Sequence, residues 1–212
     1  MSTPAPRNAA GDEFVRVLAA HGSPHHYPKN AVIITEGDIS NSLYVIVSGR
    51  LKVFMSDPEG REVVLDMLGP GQYVGEMAFD DLPRSASVMT VEPCELSVLS
   101  GAQFREFVIA NPDATTHFIR AVIRRARMAN EKIRGLALMD VYGRVARLLV
   151  DQAVEKDGKR VVEDYHSQHD IAGIVGCSRE MISRIFKDLV SGGYVSIEGR
   201  RIVLQKPLPS RW

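Results

Sequence analysis

The chain has 212 residues, enough for one large or two modest domains that each bury an apolar core. Its 26 Lys and Arg residues balance 26 Asp and Glu residues, which excludes a polycation, so a surface that binds nucleic acid must be local. A run of about 18 apolar residues is lacking, which excludes a membrane-spanning helix and predicts a protein without a membrane partner.

The N-terminal half predicts a β domain. Residues 1–12 are rich in alanine and proline and lack the apolar stretch of a signal peptide, so we expect a disordered arm. In residues 13–110, apolar runs of strand length alternate with glycine-containing turns such as Ser48-Gly49. This pattern is typical of an antiparallel sandwich or barrel and not of a βαβ fold, and predicts an antiparallel β-roll of the jelly-roll kind.

The segment that begins at Gly75 carries groups suited to an anion. A glycine frees backbone N–H groups, and an arginine and a hydroxyl nine and ten residues later, Arg84 and Ser85, could hold a phosphate. Glu76 could accept a hydrogen bond from a ribose hydroxyl. The alternative is a surface loop in which Arg84 pairs with one of the two aspartates at 80–81.

Residues 111–139 show one long helical pattern that begins at Pro112, a residue favoured in the first turn. Apolar and small side chains recur at alternating steps of three and four, the spacing of a coiled-coil seam. A helix of roughly 42 Å exceeds what a small β-roll can cover, so we expect a dimerisation helix that makes a homodimer. The alternative is that the stripe packs on its own domain. The seam residues are Ile119, Val122, Ala126, Ala129, Ile133 and Leu136.

Polar residues mark the flanks of the long helix. The arginines at positions 124, 125 and 127 lie mostly off the seam and are expected to be solvated. A hinge follows at 138–140, because Asp140 is a good N-cap for a next helix, expected over Val141 to Val154. Residues 155–164 are charged and contain Asp157-Gly158, which predicts a solvent-facing hairpin.

Residues 140–212 predict a winged helix-turn-helix domain. Gly176 permits a sharp turn between two helices, and Ser178 caps the second one. Short alternating strands around a turn follow at 195–204 and form the wing. The whole chain is therefore predicted to be an α+β protein: a β-roll, a long dimerisation helix and a winged helix-turn-helix.

The second helix of this pair is expected to enter the major groove of double-stranded DNA. Arginine can donate two hydrogen bonds to guanine, and glutamate can accept one from cytosine. The alternative is an ordinary helical hairpin with solvated charges. Lys187, Arg200 and Arg201 are expected on the phosphate backbone. The full set of expected DNA-contacting residues is Ser178, Arg179, Glu180, Ser183, Arg184, Lys187 and Arg200.

Two motifs carry a resemblance to a known family. Residues 75–78, Gly-Glu-Met-Ala, followed by Arg-Ser-Ala at 84–86, resemble the phosphate-binding cassette of cyclic-nucleotide-binding domains. With Gly-Cys-Ser-Arg-Glu at 176–180, the chain resembles the catabolite activator (cyclic-AMP receptor) branch of the bacterial Crp-Fnr regulators over roughly residues 27–206. The resemblance implies these ligand-binding residues: Gly75, Glu76, Met77, Arg84, Ser85 and Asn130.

The same resemblance implies a homodimeric transcription regulator, controlled by a cyclic nucleotide that is foremost cyclic AMP, that reads a palindromic TGTGA-like site. It also implies a contact with RNA polymerase near residues 155–164. Ala129 and Asn130 stand where that branch has two hydroxyl residues that reach the adenine, one from each subunit. Ala129 offers no hydrogen bond, whereas Asn130 offers a donor and an acceptor. We therefore expect weaker discrimination against cyclic GMP, another effector such as cyclic di-GMP, or activity without ligand.

Other chemistries find no support in the sequence. The six histidines lack metal-ligand spacing, and no nucleophile with its base is recognisable, so we expect neither a metal, nor a prosthetic group, nor an enzyme. Cys94 and Cys177 are far apart and are expected to be reduced, which suits a cytoplasmic protein. The alternative from a different class is a nucleotide-binding interaction module that has lost DNA binding.

Overall fold

The computed structural model describes residues 9–76, 82–163, 165 and 167–208, and the chain divides into two compact units. Residues 9–55 and 65–127 belong to the N-terminal unit, and residues 56–64 and 128–208 belong to the C-terminal unit. The division falls inside the long helix. The domain boundaries expected from the sequence at residues 110 and 139 stay predictions.

Two antiparallel sheets build the N-terminal unit, in the strand orders β1-β8-β3-β6 and β2-β7-β4-β5. The predicted β-roll is therefore confirmed. The elements up to the long helix are α1 (Ala9–Ala20), β1 (Ser23–Tyr27), β2 (Val32–Ile34), β3 (Ser42–Ser48), β4 (Leu51–Ser56), β5 (Glu62–Leu68), β6 (Tyr73–Val74), β7 (Ser87–Thr90), β8 (Cys94–Ser100) and α2 (Gly101–Ala110).

Side-chain alternation along the strands separates two apolar cores. Val45 of β3 and Leu99 of β8 point to the core shared with the helices, where Leu18 of α1 is fully buried. Ile46 and Leu96, on the opposite faces of the same strands, point to the core between the sheets. The two sheets enclose one core between them, and the helices pack on the other face of the sheet that contains β3 and β8.

Helix α1 corrects the expected arm over residues 1–12, because it begins at Ala9. Phe14 and Leu18 of α1 pack into the helix-facing core and hold the helix there. Once a turn is held, extension toward the N-terminus costs less than nucleation, and Ala9 and Ala10 have the highest helix propensity, while Gly11 between them and Asp12 costs about 1 kcal/mol relative to alanine. Residues 1–8 lie outside the described part of the chain.

The long helix α3 covers Pro112–Leu138, as the sequence predicts. A buried face, which includes Ala114 and Ala121 with Phe118 packed beside them, attaches its first half to the N-terminal unit. The short alanine side chains allow the helix to approach the sheet closely.

The C-terminal unit contains the remaining elements, and its strands form one antiparallel sheet in the order β11-β12-β10-β9. The predicted helix to Val154 is too long, because the backbone leaves the helix after Gln152 and Val154 pairs with Val161 in the polar hairpin. The elements are α4 (Val141–Gln152), β9 (Val154–Lys156), β10 (Lys159–Val162), α5 (Gln168–Val175), α6 (Arg179–Ser191), β11 (Val195–Glu198) and β12 (Arg201–Leu204).

Local signals in the sequence set the helix ends of this unit. The Asp140 carboxylate accepts from the Gly143 N–H at 2.7 Å, and the Ser178 hydroxyl accepts from the Met181 N–H at 3.2 Å. Gly176 ends α5 in the left-handed conformation, with φ 73°. These caps fix where α6 begins and which face it presents.

Candidate nucleotide site and DNA interface

Gly75 stands at a place in the N-terminal unit where only glycine fits. Its φ is 99°, and an added Cβ would lie 2.5 Å from the Ser42 carbonyl oxygen and 3.2 Å from Nη1 of Arg84. The backbone conformation and the close approach both exclude a side chain. The glycine of the predicted cassette therefore brings the main chain directly against Arg84.

Arg84 is only 4% exposed and donates to three groups of its own unit. Nε donates to the Ser40 hydroxyl at 2.9 Å, Nη1 to the Gly75 carbonyl at 2.8 Å and Nη2 to the Ser42 carbonyl at 2.7 Å. Burial lowers the pKa of the guanidinium, while the nearby Tyr44 and Glu76 act in the opposite direction. A guanidinium has five N–H donors, and two of those of Arg84 have no acceptor among the described residues, so a further acceptor such as a phosphate could take them.

The neighbours of Arg84 in the predicted site are partly described. Ser85 follows it directly and is exposed. Met77 lies outside the described residues, as do the aspartates at 80–81 that offered the alternative pairing. The structure therefore brings Gly75 and Arg84 together, and the role of Met77 stays a prediction.

Glu76 is paired with a residue that the sequence reasoning assigned to solvent. Arg125 of α3 forms an ion pair with Oε1 of Glu76 and donates to the Tyr73 carbonyl, and its guanidinium lies 5.4 Å from the centre of the Tyr73 ring. The expectation of a solvated Arg125 is wrong. The signal was present, because 125 continues the buried helical face of 114, 118 and 121 at steps of four, three and four.

The second carboxylate oxygen of Glu76, Oε2, takes no part in this ion pair. The side chain is 10% exposed, and Oε2 is buried without a hydrogen-bond partner among the described residues. A buried acceptor without a donor costs about 1–3 kcal/mol, more when it is charged. The Tyr73 hydroxyl is likewise buried without such a partner in the described ranges, and burial raises its pKa to about 12. Glu76 is thus suited to a ligand that donates a hydrogen bond.

Asn130 is exposed on α3 and belongs to the C-terminal unit, whereas Gly75, Glu76 and Arg84 belong to the N-terminal unit. Its predicted contact with a base stays a prediction. Ala129, beside it, is also exposed.

The predicted seam of α3 is uncovered in the single chain. Ile119, Ile133 and Leu136 are 51%, 63% and 51% exposed, and Val122 is exposed as well. Ala126 and Ala129 continue this face and are also exposed. An apolar stripe of this kind on a long helix is typical of a surface that associates with a partner.

Helix α6 buries Ile182, Ile185, Phe186 and Leu189 and leaves its polar face open. A hydrogen bond from its own backbone N–H and one from the Ser178 hydroxyl lower the pKa of Glu180, so this side chain is an acceptor. An exposed helix start with both donors and acceptors is what base recognition in the major groove requires. The predicted DNA-contacting residues are all exposed: Ser178, Arg179, Glu180, Ser183, Arg184, Lys187 and Arg200.

An ion pair network joins Arg201 of the wing to Glu163 and Lys156 at the other strands of the same sheet. Glu163 accepts from Nε of Arg201 at 2.7 Å and from Nζ of Lys156 at 3.0 Å. The hydrogen bonds from Lys156 and then Arg201 lower the pKa of Glu163. Arg201, expected on the phosphate backbone, is therefore paired with a carboxylate of its own unit.

Over the described ranges, no helix is long and apolar enough to cross a membrane. Groups of three or more histidine, cysteine or acidic side chains that could hold a metal ion are likewise lacking in that part of the chain.

Models of two protein families match this chain, one in its N-terminal half and one in its C-terminal half. The cyclic nucleotide-binding domain matches residues 24–111, and the Crp-like helix-turn-helix domain matches residues 143–207. The cAMP-activated global transcriptional regulator CRP of Salmonella typhimurium is 33% identical over 198 residues, which cover 91% of this chain and 94% of that protein. The CRP-like cAMP-activated global transcriptional regulator of Mycobacterium tuberculosis is 30% identical over 196 residues, with 90% and 87% covered.

Solved structures repeat this similarity. The c-di-GMP responsive global regulator CLP of Xanthomonas campestris gives a TM-score of 0.80 at 27% identity and covers 94% of this chain and 100% of its own. A CooA mutant from Carboxydothermus hydrogenoformans gives a TM-score of 0.78 at 20% identity, with 91% and 87% covered, and so shares the fold.

Proposed function

Because the chain belongs to the Crp family of cyclic-nucleotide-binding transcription regulators with a helix-turn-helix domain, we propose that it acts as a homodimer that binds cyclic AMP and reads a palindromic TGTGA-like DNA site. The family consists of regulators and not of enzymes. The effector binds in the N-terminal unit, and each subunit offers one α6 to one half-site.

The buried Oε2 of Glu76, which lacks a partner among the described residues, carries the ligand part of this proposal. A ribose hydroxyl is a neutral donor of the right kind, and the ion pair with Arg125 orients the carboxylate. The two N–H groups of Arg84 that have no acceptor among the described residues bind the cyclic phosphate, together with the Ser85 hydroxyl. Met77 is the remaining residue of the N-terminal unit that we assign to ligand binding.

Base recognition falls to Asn130, because Ala129 has no side-chain donor or acceptor. Weak discrimination between cyclic AMP and cyclic GMP follows. The second candidate effector is cyclic di-GMP, favoured by the absence of a hydroxyl at Ala129 and by the likeness to a regulator described as c-di-GMP responsive.

The exposed seam of α3 supports the homodimer, since residues such as Ile119 and Ile133 are uncovered in the single chain. Two copies of α6 related by a two-fold axis fit a palindromic site. We place the RNA polymerase contact on the β9–β10 hairpin around Asp157-Gly158.

Calorimetric competition among cyclic AMP, cyclic GMP and cyclic di-GMP on the full chain tests the effector. We expect Asn130→Ala to bring the affinities for cyclic AMP and cyclic GMP together, with Arg120→Ala, exposed on the same helix, as the unchanged control. Glu76→Gln exchanges a charged acceptor for a neutral one and should weaken cyclic AMP by about fivefold to tenfold.

Each outcome has a definite meaning. Tight and selective cyclic AMP binding that Asn130→Ala leaves unchanged would show that another group reads the base. Preferential binding of cyclic di-GMP would replace the proposed effector. If none of the three binds, control by a cyclic nucleotide is refuted, and retained DNA binding would then indicate a regulator active without ligand.

A further inference from the structure

Arg144 of α4 makes three hydrogen bonds to backbone carbonyls on two different segments of the C-terminal unit. Nη1 donates to the Met139 carbonyl at 2.9 Å, directly after α3. Nε donates to the Val175 carbonyl at 2.8 Å, and Nη2 to the Gly176 carbonyl at 3.2 Å, where α5 ends. One side chain thus joins the hinge to the turn of the helix-turn-helix.

These carbonyls need a donor. The last carbonyls of a helix have no partner within it, and α3 and α5 both end here without a basic residue in the last turn. At the end of α5, the N–H groups of Gly176 and Cys177 both donate to Ala172, which leaves the Val175 carbonyl to Arg144. The cation also lies at the negative ends of both helix dipoles.

Arginine is the side chain that can do this. Its planar fork presents N–H groups in fixed directions, so moving one carbonyl misaligns the bonds to the others. The position of the Met139 carbonyl depends on the direction of α3, and the Gly176 carbonyl belongs to the turn that precedes α6. A displacement of the backbone at the hinge should therefore also displace the turn.

We propose that Arg144 is a positioning residue for DNA reading, which ties the orientation of the hinge at Met139 to that of the recognition helix through the Val175-Gly176 turn. It does not itself touch DNA. The inference rests on the proposed function for its link to DNA reading, whereas the mechanical link between hinge and turn stands on its own.

Arg147 provides the matched control. It lies one helical turn further along α4 and forms exposed ion pairs with Glu131 at 3.1 Å and Asp151 at 3.5 Å. Such surface pairs contribute little. Arg144→Lys and Arg147→Lys are the same chemical change on the same helix. Only the first removes a guanidinium that donates to backbone carbonyls.

Hydrogen exchange on the full chain measures the link directly. In Arg144→Lys we expect the amides of Met139, Gly176 and Cys177 to exchange faster together, by at least about tenfold, while Arg147→Lys leaves them unchanged. Arg144→Gln places its amide nitrogen near the position of Nε and has no group at the Nη positions, so it should raise exchange at least as much as Arg144→Lys. Unchanged exchange at either end in a folded Arg144→Lys chain would overturn the proposal.

The wild-type chain supplies a second arm that does not depend on a variant that folds. With increasing urea below the unfolding transition, the hinge and turn amides should follow one common opening reaction. Independent opening of the two segments would refute the link.

The DNA readout separates positioning from stability. Arg144→Lys should lower the preference for a TGTGA palindrome over a scrambled duplex by about tenfold, at unchanged salt dependence, because phosphate contacts remain. Unchanged preference in a chain whose exchange has risen would show that the link does not serve DNA reading. If wild type shows no preference at all, the proposed DNA site fails, and the exchange data still decide the link.

Discussion

Replacing Arg84 by leucine tests whether this arginine supports the N-terminal unit as well as a ligand. The change removes the donors to the Gly75 and Ser42 carbonyls and to the Ser40 hydroxyl. Each carbonyl left without a donor costs about 1–3 kcal/mol. Burial of the leucine offsets roughly 2 kcal/mol of this cost. We therefore expect the free energy of unfolding of this unit to fall by about 2 kcal/mol, the middle of the range that these values span, without any ligand.

The assay must report on this unit alone, because two compact units need not unfold together. Urea titration with pulsed hydrogen exchange, measured on peptides from β3 and β8, meets this requirement. Arg105→Leu, on an exposed position of α2, is the control and should change stability by no more than about 0.5 kcal/mol. Equal stability of the two variants would refute a structural role for Arg84 and would indicate that it serves ligand binding alone.

Three further predictions concern the helix seam, the recognition helix and the wing. Val122→Asp or Ala129→Asp should place like charges across the dimer axis, so sedimentation should detect monomers that bind the palindrome weakly; unchanged dimers would contradict the seam. Arg179→Ala should cost on the order of 1–3 kcal/mol at one guanine in binding to a panel of substituted duplexes, whereas an equal loss on every sequence would indicate a phosphate contact. The pKa of Glu163 lies below its ordinary value of 4.5, so its stabilising effect is complete above that pH and is lost as the pH falls through the lowered pKa. Acid unfolding of Glu163→Gln should therefore differ from wild type above pH 4.5 and converge with it below; a constant difference would show that the ion pairs with Lys156 and Arg201 contribute nothing.

Periodic and capping signals predicted most of the fold. The glycine-punctuated strands, the bounds of α3 near Pro112 and the cap at Ser178 all depend on local chemistry, and each agrees with the structure. The start of α1 at Ala9 escaped prediction because it depends on packing of Leu18 against distant strands. The end of α4 escaped for the same reason, since pairing with β10 draws Val154 into a strand.

Arginines show where prediction of a site from sequence stops. Arg84 was assigned to a phosphate by its motif and Arg125 to solvent by its distance from the seam, while Arg144 carried no signal at all. In the fold all three donate to backbone carbonyls: Arg84 to Gly75, Arg125 to Tyr73 and Arg144 to Met139. A carbonyl is open to a side-chain donor where a helix ends, where a strand is interrupted or where a strand lies at the edge of a sheet, and sequence spacing does not report which side chain lies near it in space.

This shared use of carbonyls bears on how the protein can respond to an effector. A guanidinium that holds backbone groups and also meets a ligand cannot strengthen one contact without realigning the other, because its fork is planar and rigid. For Arg84, we expect a phosphate bound to the N–H groups that lack an acceptor among the described residues to pull on the carbonyls of Gly75 and Ser42. For Arg144, a shift at Met139 pulls on the turn at Gly176. Lysine at either position would keep the charge and remove this mechanical link, so the comparison of charge-conserving variants separates electrostatic attraction from transmission of motion.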